Sequence, residues 1–175
     1  GEVNGTHNRT NFDLGRHQEY SKTSQEYLDP ETNEKFIPYI IESTVGCDRT
    51  VLAVLDNAYC EEVLENGETR EVMRFTPYLA PYKLAVLPLN KKYHGEKAKE
   101  LFDKFNKSFM TTYDETASIG KRYRRQDAIG TPFAITVDDE TLNNGTVTLR
   151  DRDTMEQIVL KIEEVEAYVA ERIKF

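Results

Sequence analysis

The pattern of apolar and polar positions changes character along the chain. The first 36 residues are polar and turn-rich. Within them YLDPETNEKF, Tyr27 to Phe36, sets aromatic and apolar residues on either side of Asp-Pro-Glu-Thr-Asn, which predicts a β-hairpin. Ile37 to Ile41 is a short β-branched and aromatic run and predicts a buried strand. Val51, Leu52, Val54, Leu55, Ala58, Tyr59 and Val63 then recur at spacings of three and four. That spacing makes one apolar stripe on a helix, with Asp48 placed to cap its first turn. ENGE, Glu65 to Glu68, reads as a solvated break.

RFTPYLAPYK, Arg74 to Lys83, carries two prolines in a short span. They exclude a continuous helix and favour an extended linker, so the domain boundary is drawn here. Beyond it, Leu84 to Leu89 is a continuous apolar run suited to a strand buried on both faces. Glu96 to Phe109 predicts a helix with Ala98, Leu101, Phe102, Phe105 and Phe109 on one stripe. Met110 to Tyr113 predicts a second strand. Ser118 to Ile129 predicts a helix, with Ser118 at its start and Gly130 as its stop. Phe133, Ile135 and Val137 alternate with small or polar neighbours, as do Val147 and Leu149. The Asn144-Gly145 pair between them predicts a hairpin turn. Gln157 to Ile162 predicts a last strand and Glu163 to Ile173 a charged terminal helix. Strands alternating with helices and closed by a hairpin describe an α/β unit, a mixed sheet with flanking helices.

Charge sharpens the division. Residues up to Tyr82 include 7 basic and 15 acidic side chains, and from Lys83 onward there are 16 of each. The net charge of −8 argues against indiscriminate nucleic-acid binding but leaves room for a local basic face. Cys47 and Cys60, without spaced histidines, form no zinc pattern, and a disulfide framework is not expected. A reducing, intracellular setting fits this cysteine usage; no run has the length of a membrane span and no apolar leader core lies near Gly1.

Two regions carry candidate chemistry. Glu42 ends an apolar run, where a carboxylate is costly unless it meets a cation. It reads either as half of an ion pair, with Arg49 as partner, or as a receiver for a small ammonium. Gly46 permits close backbone approach and the helix start after it offers free N–H groups to an anion. Arg49 adds a fork suited to phosphate oxygens, so the pair reads as a nucleotide site or as a capped helix with a surface arginine. His7, Arg9 and Asp13 share a polar loop. KRYRR, Lys121 to Arg125, is the densest basic cluster. On a helix Lys121, Arg124 and Arg125 share a side, as phosphate contacts or as a solvated face, while Arg122 and Tyr123 point elsewhere. RDRD, Arg150 to Asp153, reads as base-edge contacts or as a self-paired turn.

GCDRT, Gly46 to Thr50, followed by an apolar helix, resembles motif 3 of class II aminoacyl-tRNA synthetases. The wider sequence resembles the homodimeric glycyl-tRNA synthetase family. The matching stretches are GEVNGTHNRTNFDL, IPYIIES with GCDRT, LAPYKLAVLPL, SIGKRYRRQDAIGTPFAITVD and GTVTLRDRDTMEQ, in family order across nearly the whole chain. The resemblance implies that residues 1–78 are the C-terminal part of a class II catalytic domain, a partial antiparallel sheet carrying motif 3. Residues 79–175 would be the anticodon-binding domain, a mixed five-stranded sheet with flanking helices.

The resemblance also implies a reaction: glycine and ATP, with Mg, give glycyl-adenylate, and the glycyl group passes to its tRNA. Glu42 would bind the glycine ammonium, with Arg9, Ser43, Thr44, Val45 and Gly46 around it. Arg49 would be the catalytic arginine on ATP phosphate, with Glu2, Val3, Gly46, Cys47 and Asp48 shaping that site. Lys121, Arg122, Arg124, Arg125, Arg150 and Arg152 would contact the tRNA anticodon arm. The parent is implied to be a cytoplasmic homodimer with no membrane partner and no structural metal. One departure is that the family reads Glu-Pro-Ser where this chain has Glu42-Ser43-Thr44. Motifs 1 and 2 do not occur in the 175 residues, so they are expected to be a C-terminal fragment that makes no adenylate and holds no cofactor alone. The competing expectation is a non-catalytic nucleic-acid-binding module of synthetase-like fold, such as a polymerase accessory subunit. Glu42, Gly46, Asp48 and Arg49 disfavour it, since such a module need not keep an ATP site.

Overall fold

A computed structural model describes residues 2–175. It divides into two compact units, one up to Ala53 and one from Val54.

In the first unit, strand β1 (Asn4–Thr10) leads through Asn11 into helix α1 (Phe12–Ser21). The polar loop expected around Arg9 is therefore a strand running into a helix. Strands β2 (Tyr27–Leu28) and β3 (Lys35–Phe36) form the expected hairpin. The Asp29 carboxylate accepts from the Glu31 N–H at 2.8 Å, and the Tyr27 and Phe36 rings meet edge to face. Strand β4 (Ile40–Val45) pairs antiparallel with β1, placing His7 opposite Glu42 and Gly5 opposite Thr44, with a bulge between Asn8 and Thr10. The buried strand expected at Ile37 to Ile41 is not buried: Ile41 is 65 % exposed. A two-stranded sheet has no second layer of its own to cover it, and no described residue before Ala58 is buried.

Helix α2 (Cys47–Ala58) follows directly. It ends before the predicted stripe does. Tyr59 and Val63 belong to strand β5 (Tyr59–Val63), which pairs with β6 (Thr69–Met73) around the turn at Gly67. The ENGE break is the tip of this hairpin. The two-proline segment is a turn rather than an extended linker, because Leu79 N–H donates to the Thr76 carbonyl at 2.8 Å. Lys83 holds it, its ammonium donating to the carbonyls of Pro77 at 3.1 Å and Ala80 at 2.7 Å. Burial pushes the Lys83 pKa down.

The rest of the second unit is the expected α/β arrangement. Its elements are β7 (Leu84–Pro88), α3 (Lys91–Phe105), β8 (Thr111–Tyr113), α4 (Ile119–Ile129), β9 (Phe133–Val137), α5 (Asp139–Asn144), β10 (Thr146–Asp151), β11 (Gln157–Lys161) and α6 (Ile162–Arg172). They build one five-stranded sheet in the order β11-β10-β9-β7-β8. β7 runs parallel to β8 and β9, while β10 runs antiparallel to β9 and β11. Leu84, Val86, Ile135, Leu149, Leu101, Phe105, Val165 and Val169 make the main core, with α3 and α6 covering one face. Ala85, Leu87 and Ala134 pack under Ile119 and Tyr123 of α4 on the other. β9 is thus buried on both faces, although its alternation predicts only one.

Two boundaries moved for local reasons. α3 starts five residues earlier than its apolar stripe, because the Asn90 side chain caps it by accepting from Lys92 N–H at 2.9 Å. Asn144-Gly145 is not a hairpin turn: Asp138 and Thr141 form a capping box that starts α5, and Gly145, at φ 68°, ends it. At the end of α4, Gly130 adopts φ 81°, and a Cβ there would lie 2.9 Å from the Met73 carbonyl and against the Phe75 ring. Glycine lets the helix end close on the strand segment that follows β6. Among the described residues no helix is long and apolar enough to cross a membrane.

Candidate functional site

The first candidate site follows from how β1, β4 and the start of α2 are joined. Gly46 N–H donates to the Val3 carbonyl at 3.1 Å, which brings the start of α2 beside β1. The Arg49 side chain folds back over Gly46 and its guanidinium donates to the Glu2 carbonyl. An open cleft of about 500 Å³ results. Glu2, Val3, Gly46, Cys47, Asp48 and Arg49 all line it, together with Gly5 and Thr44. The six residues assigned to ATP by sequence are thus gathered around one space, where α2 offers its first N–H groups and Arg49 a cation.

The residues assigned to glycine are divided by the strand. Glu42 and Thr44 share one face of β4, and Ser43 and Val45 the other. Ser43 Oγ lies 3.1 Å from Thr6 Oγ1 on that second face. Glu42 pairs with Arg9, at 3.4 Å, and not with Arg49. Arg9 is shared: its Nε and Nη2 donate to the Asp13 carboxylate at 2.9 and 3.0 Å. That bidentate contact holds the Asp13 carboxyl below the usual range and raises the Arg9 pKa. A carboxylate beside a cation it does not monopolise keeps capacity for a second positive group. Cys47 and Cys60 are free thiols, and no group of three or more metal-ligating side chains occurs among the described residues.

The second candidate site is α4, where the six basic residues assigned to tRNA separate into two classes. Lys121 and Arg125 are exposed, and Arg124 is partly so. Arg122, Arg150 and Arg152 are buried. Arg122 donates to the carbonyls of Ala117, at 2.8 Å, and Pro88. Arg150 makes two bonds to Asp127, at 2.8 and 3.1 Å, and lies 4.8 Å over the Tyr123 ring, so that ring is not free to stack on a base. Arg152 donates to the carbonyls of Gly130 and Phe75 at 2.8 Å and pairs with Asp153. RDRD is thus split: Arg150 and Asp151 end β10, with Arg150 paired to Asp127, while Arg152 and Asp153 pair in the turn that follows. Arg122, Arg150 and Arg152, three of the six expected contacts, are engaged within the fold.

Sequence reasoning missed the residue at the centre of this network. Arg70 is fully buried and donates to Asp127 at 2.9 Å, to Glu62 at 2.9 Å and to the Arg152 carbonyl. The available signal was alternation: Arg70 shares a face with buried Val72 on β6, and a charge on an apolar face demands partners. Arg125 also has a local task. It donates to the Asp114 carboxylate at 2.9 Å and to the Thr116 carbonyl at 2.7 Å, fixing the loop from β8 to α4. Burial opposes ionisation of Asp114, but the Thr116 N–H, the Arg125 guanidinium and the Thr116 hydroxyl outweigh it and lower its pKa. Among the described residues Arg124 has only a loose pair with Glu68, at 3.6 Å.

Over residues 83–172 the sequence matches the family described as the anticodon binding domain, which is 90 of its 175 residues. The chain belongs to the anticodon-binding domain family.

The match begins at Lys83, the residue that pins the two-proline turn. Curated relatives extend over the whole chain. It is 54 % identical over 174 residues to glycine–tRNA ligase of Clostridium acetobutylicum, covering 99 % of this chain and 37 % of that protein. It is 56 % identical over 175 residues to glycine–tRNA ligase of Geobacillus kaustophilus, covering 100 % of this chain and 38 % of that protein. The chain therefore spans less than two-fifths of the length of these relatives. The solved RNA-binding domain of threonyl-tRNA synthetase from Cryptosporidium parvum Iowa II aligns with a TM-score of 0.66 at 20 % identity, over 84 % of this chain and 34 % of that one. At that identity the likeness establishes the fold alone, a mixed sheet with helices on both faces.

Proposed function

We propose that this chain is the tRNA-recognising part of a glycine–tRNA ligase, and that its second unit binds the anticodon arm of glycine tRNA. The observation that carries the reading is the 54–56 % identity to glycine–tRNA ligases over essentially the entire chain, joined to the family match over 83–172. Residues 79–175 are the anticodon-binding domain in this reading, and residues 1–78 belong to the catalytic part. In the whole ligase, a homodimer of the cytoplasm, ATP brings the activating phosphates, with Mg. The cleft beside β1 receives ATP through Arg49 and the start of α2. Glu42, oriented by Arg9, receives the glycine ammonium, and Thr44 on the same face lines the pocket. On α4, Lys121 and Arg124 meet tRNA phosphates, and Arg125 holds the loop beside them.

Phosphoryl chemistry needs several preorganised cations around the developing charge, and Arg49 is the one arginine among the described residues lining the cleft. The 175 residues alone are therefore expected to bind tRNA and to make no adenylate. Binding is tested with glycine tRNA against the same tRNA carrying a substituted anticodon. The expected result is weaker binding of the substituted form, and equal affinity for both overturns the reading. Glycine-dependent pyrophosphate exchange above background would overturn the expectation of inactivity.

A further inference from the structure

The hairpin β5–β6 lies outside the family match, yet it forms one wall of a space whose other wall is α4. A cleft of about 340 Å³ runs between them, lined by Thr69, Arg70 and Glu71 from the hairpin and by Arg124, Arg125 and Ala128 from the helix. Lys121, Arg124, Arg125 and Ala128 follow helical spacings of three and four and so share one side of α4. Ala128 is exposed and carries too little side chain to fill the cleft.

The walls are rigid for a reason visible in the core. Arg70 and Arg150 both grip Asp127, so hairpin, helix and β10 are tied at one carboxylate. The contents are looser. Among the described residues Arg124 reaches only Glu68, at 3.6 Å, and Glu68 is 68 % exposed at the hairpin tip. An exposed pair at that distance stabilises little, so another anion can replace Glu68 at small cost. Glu71, cross-strand from Glu61, also lines the cleft; its carboxylate disfavours an anion on the hairpin side, so a phosphate contact falls to Arg124 on the α4 wall.

Resting on the reading that α4 faces tRNA, we propose that the β6–α4 cleft is a subsite for one phosphodiester of the RNA backbone. Arg124 is its ligand, Glu68 is the internal anion that the phosphate displaces, and Arg70 positions the cleft through Asp127. The tRNA-binding surface then includes the hairpin and begins before the family match does.

The test is the salt dependence of glycine-tRNA binding to the 175-residue chain. Ala128→Phe fills the cleft without changing charge. It should weaken binding about tenfold and flatten the logarithmic salt slope by about 1. Glu68→Gln should strengthen binding by about two- to fivefold, whereas Glu65→Gln, the same charge change on the same turn, should not. Lys121→Ala reports on the α4 face alone and should weaken binding in every case. If Lys121→Ala weakens binding while Ala128→Phe and Glu68→Gln match the unaltered chain, the subsite is wrong and the α4 reading stands. Equal strengthening by Glu65→Gln also removes the subsite, since a general field then explains it. If Lys121→Ala changes nothing, both fall. Should Ala128→Phe fail to fold, the comparison of Glu68→Gln with Glu65→Gln decides.

Discussion

The Asp127 carboxylate accepts from Arg70 Nε at 2.9 Å across 57 positions of sequence, with both side chains sealed from solvent. Arg150 holds the other side of the same carboxylate. Removing one member of a buried pair strands a charge, at a cost of about 3–5 kcal/mol. Asp127→Ala leaves two arginines short of a partner and should lose about that much in urea unfolding. Arg70→Met leaves Asp127 with Arg150 and should lose less. The double variant should cost less than the two single costs together, because both single changes break the same network. Additive losses, or a loss below about 1 kcal/mol for Asp127→Ala, would mean that the network does not hold the hairpin.

The same pair shows what was legible in the sequence and what was not. The five-stranded unit was readable because its elements are short and locally marked. LAVLPL is unbroken, and Ser118 and Gly130 bracket α4. Asp127 and Arg70 carry no local mark, since their meaning comes from an encounter set by topology. For the same reason Arg122, Arg150 and Arg152, given to tRNA by the family resemblance, carry no local mark of burial and are core donors in the fold. Helical spacing continued from α2 into Tyr59 and Val63, but a pattern of period 3.6 cannot say where a helix gives way to a strand that needs only period 2. At the first site, spacing suggested Arg49 as the partner of Glu42. The antiparallel register of β1 and β4 gives that place to Arg9.

Acid stability should report the contact between Arg125 and Asp114. The folded-state pKa of Asp114 is lowered, against an ordinary aspartate value of about 3.9. The stabilisation is therefore full above the ordinary value and is lost as pH falls through the folded one. Thermal unfolding from pH 6 down to about pH 2 should show stability falling on that acid limb. Arg125→Met should lower stability near neutrality by about 1 kcal/mol and make the acid limb shallower, because less of it remains to be lost. A limb of unchanged steepness would assign the acid response to other carboxylates. Asp153 is the first alternative: burial opposes its ionisation, but Arg152, Arg74 and Arg70 lower its pKa.

Exposure of the first unit leads to a prediction about order. Phe12, Tyr20, Tyr39, Ile41 and Leu52 are all exposed, and no described residue up to Asn57 is buried. Local opening costs little where few apolar contacts are lost. Amide exchange should therefore be fast through β1, β4 and α1 and slow in β7 and β9, whose strands are buried on both faces. The apolar surface should also favour association between copies as concentration rises, visible by sedimentation as a growing average mass. Two results together would contradict this: a concentration-independent monomer, and protection in β4 equal to that in β7. Protection in β4 that rises with concentration, while β7 stays unchanged, would instead locate the association on the first unit.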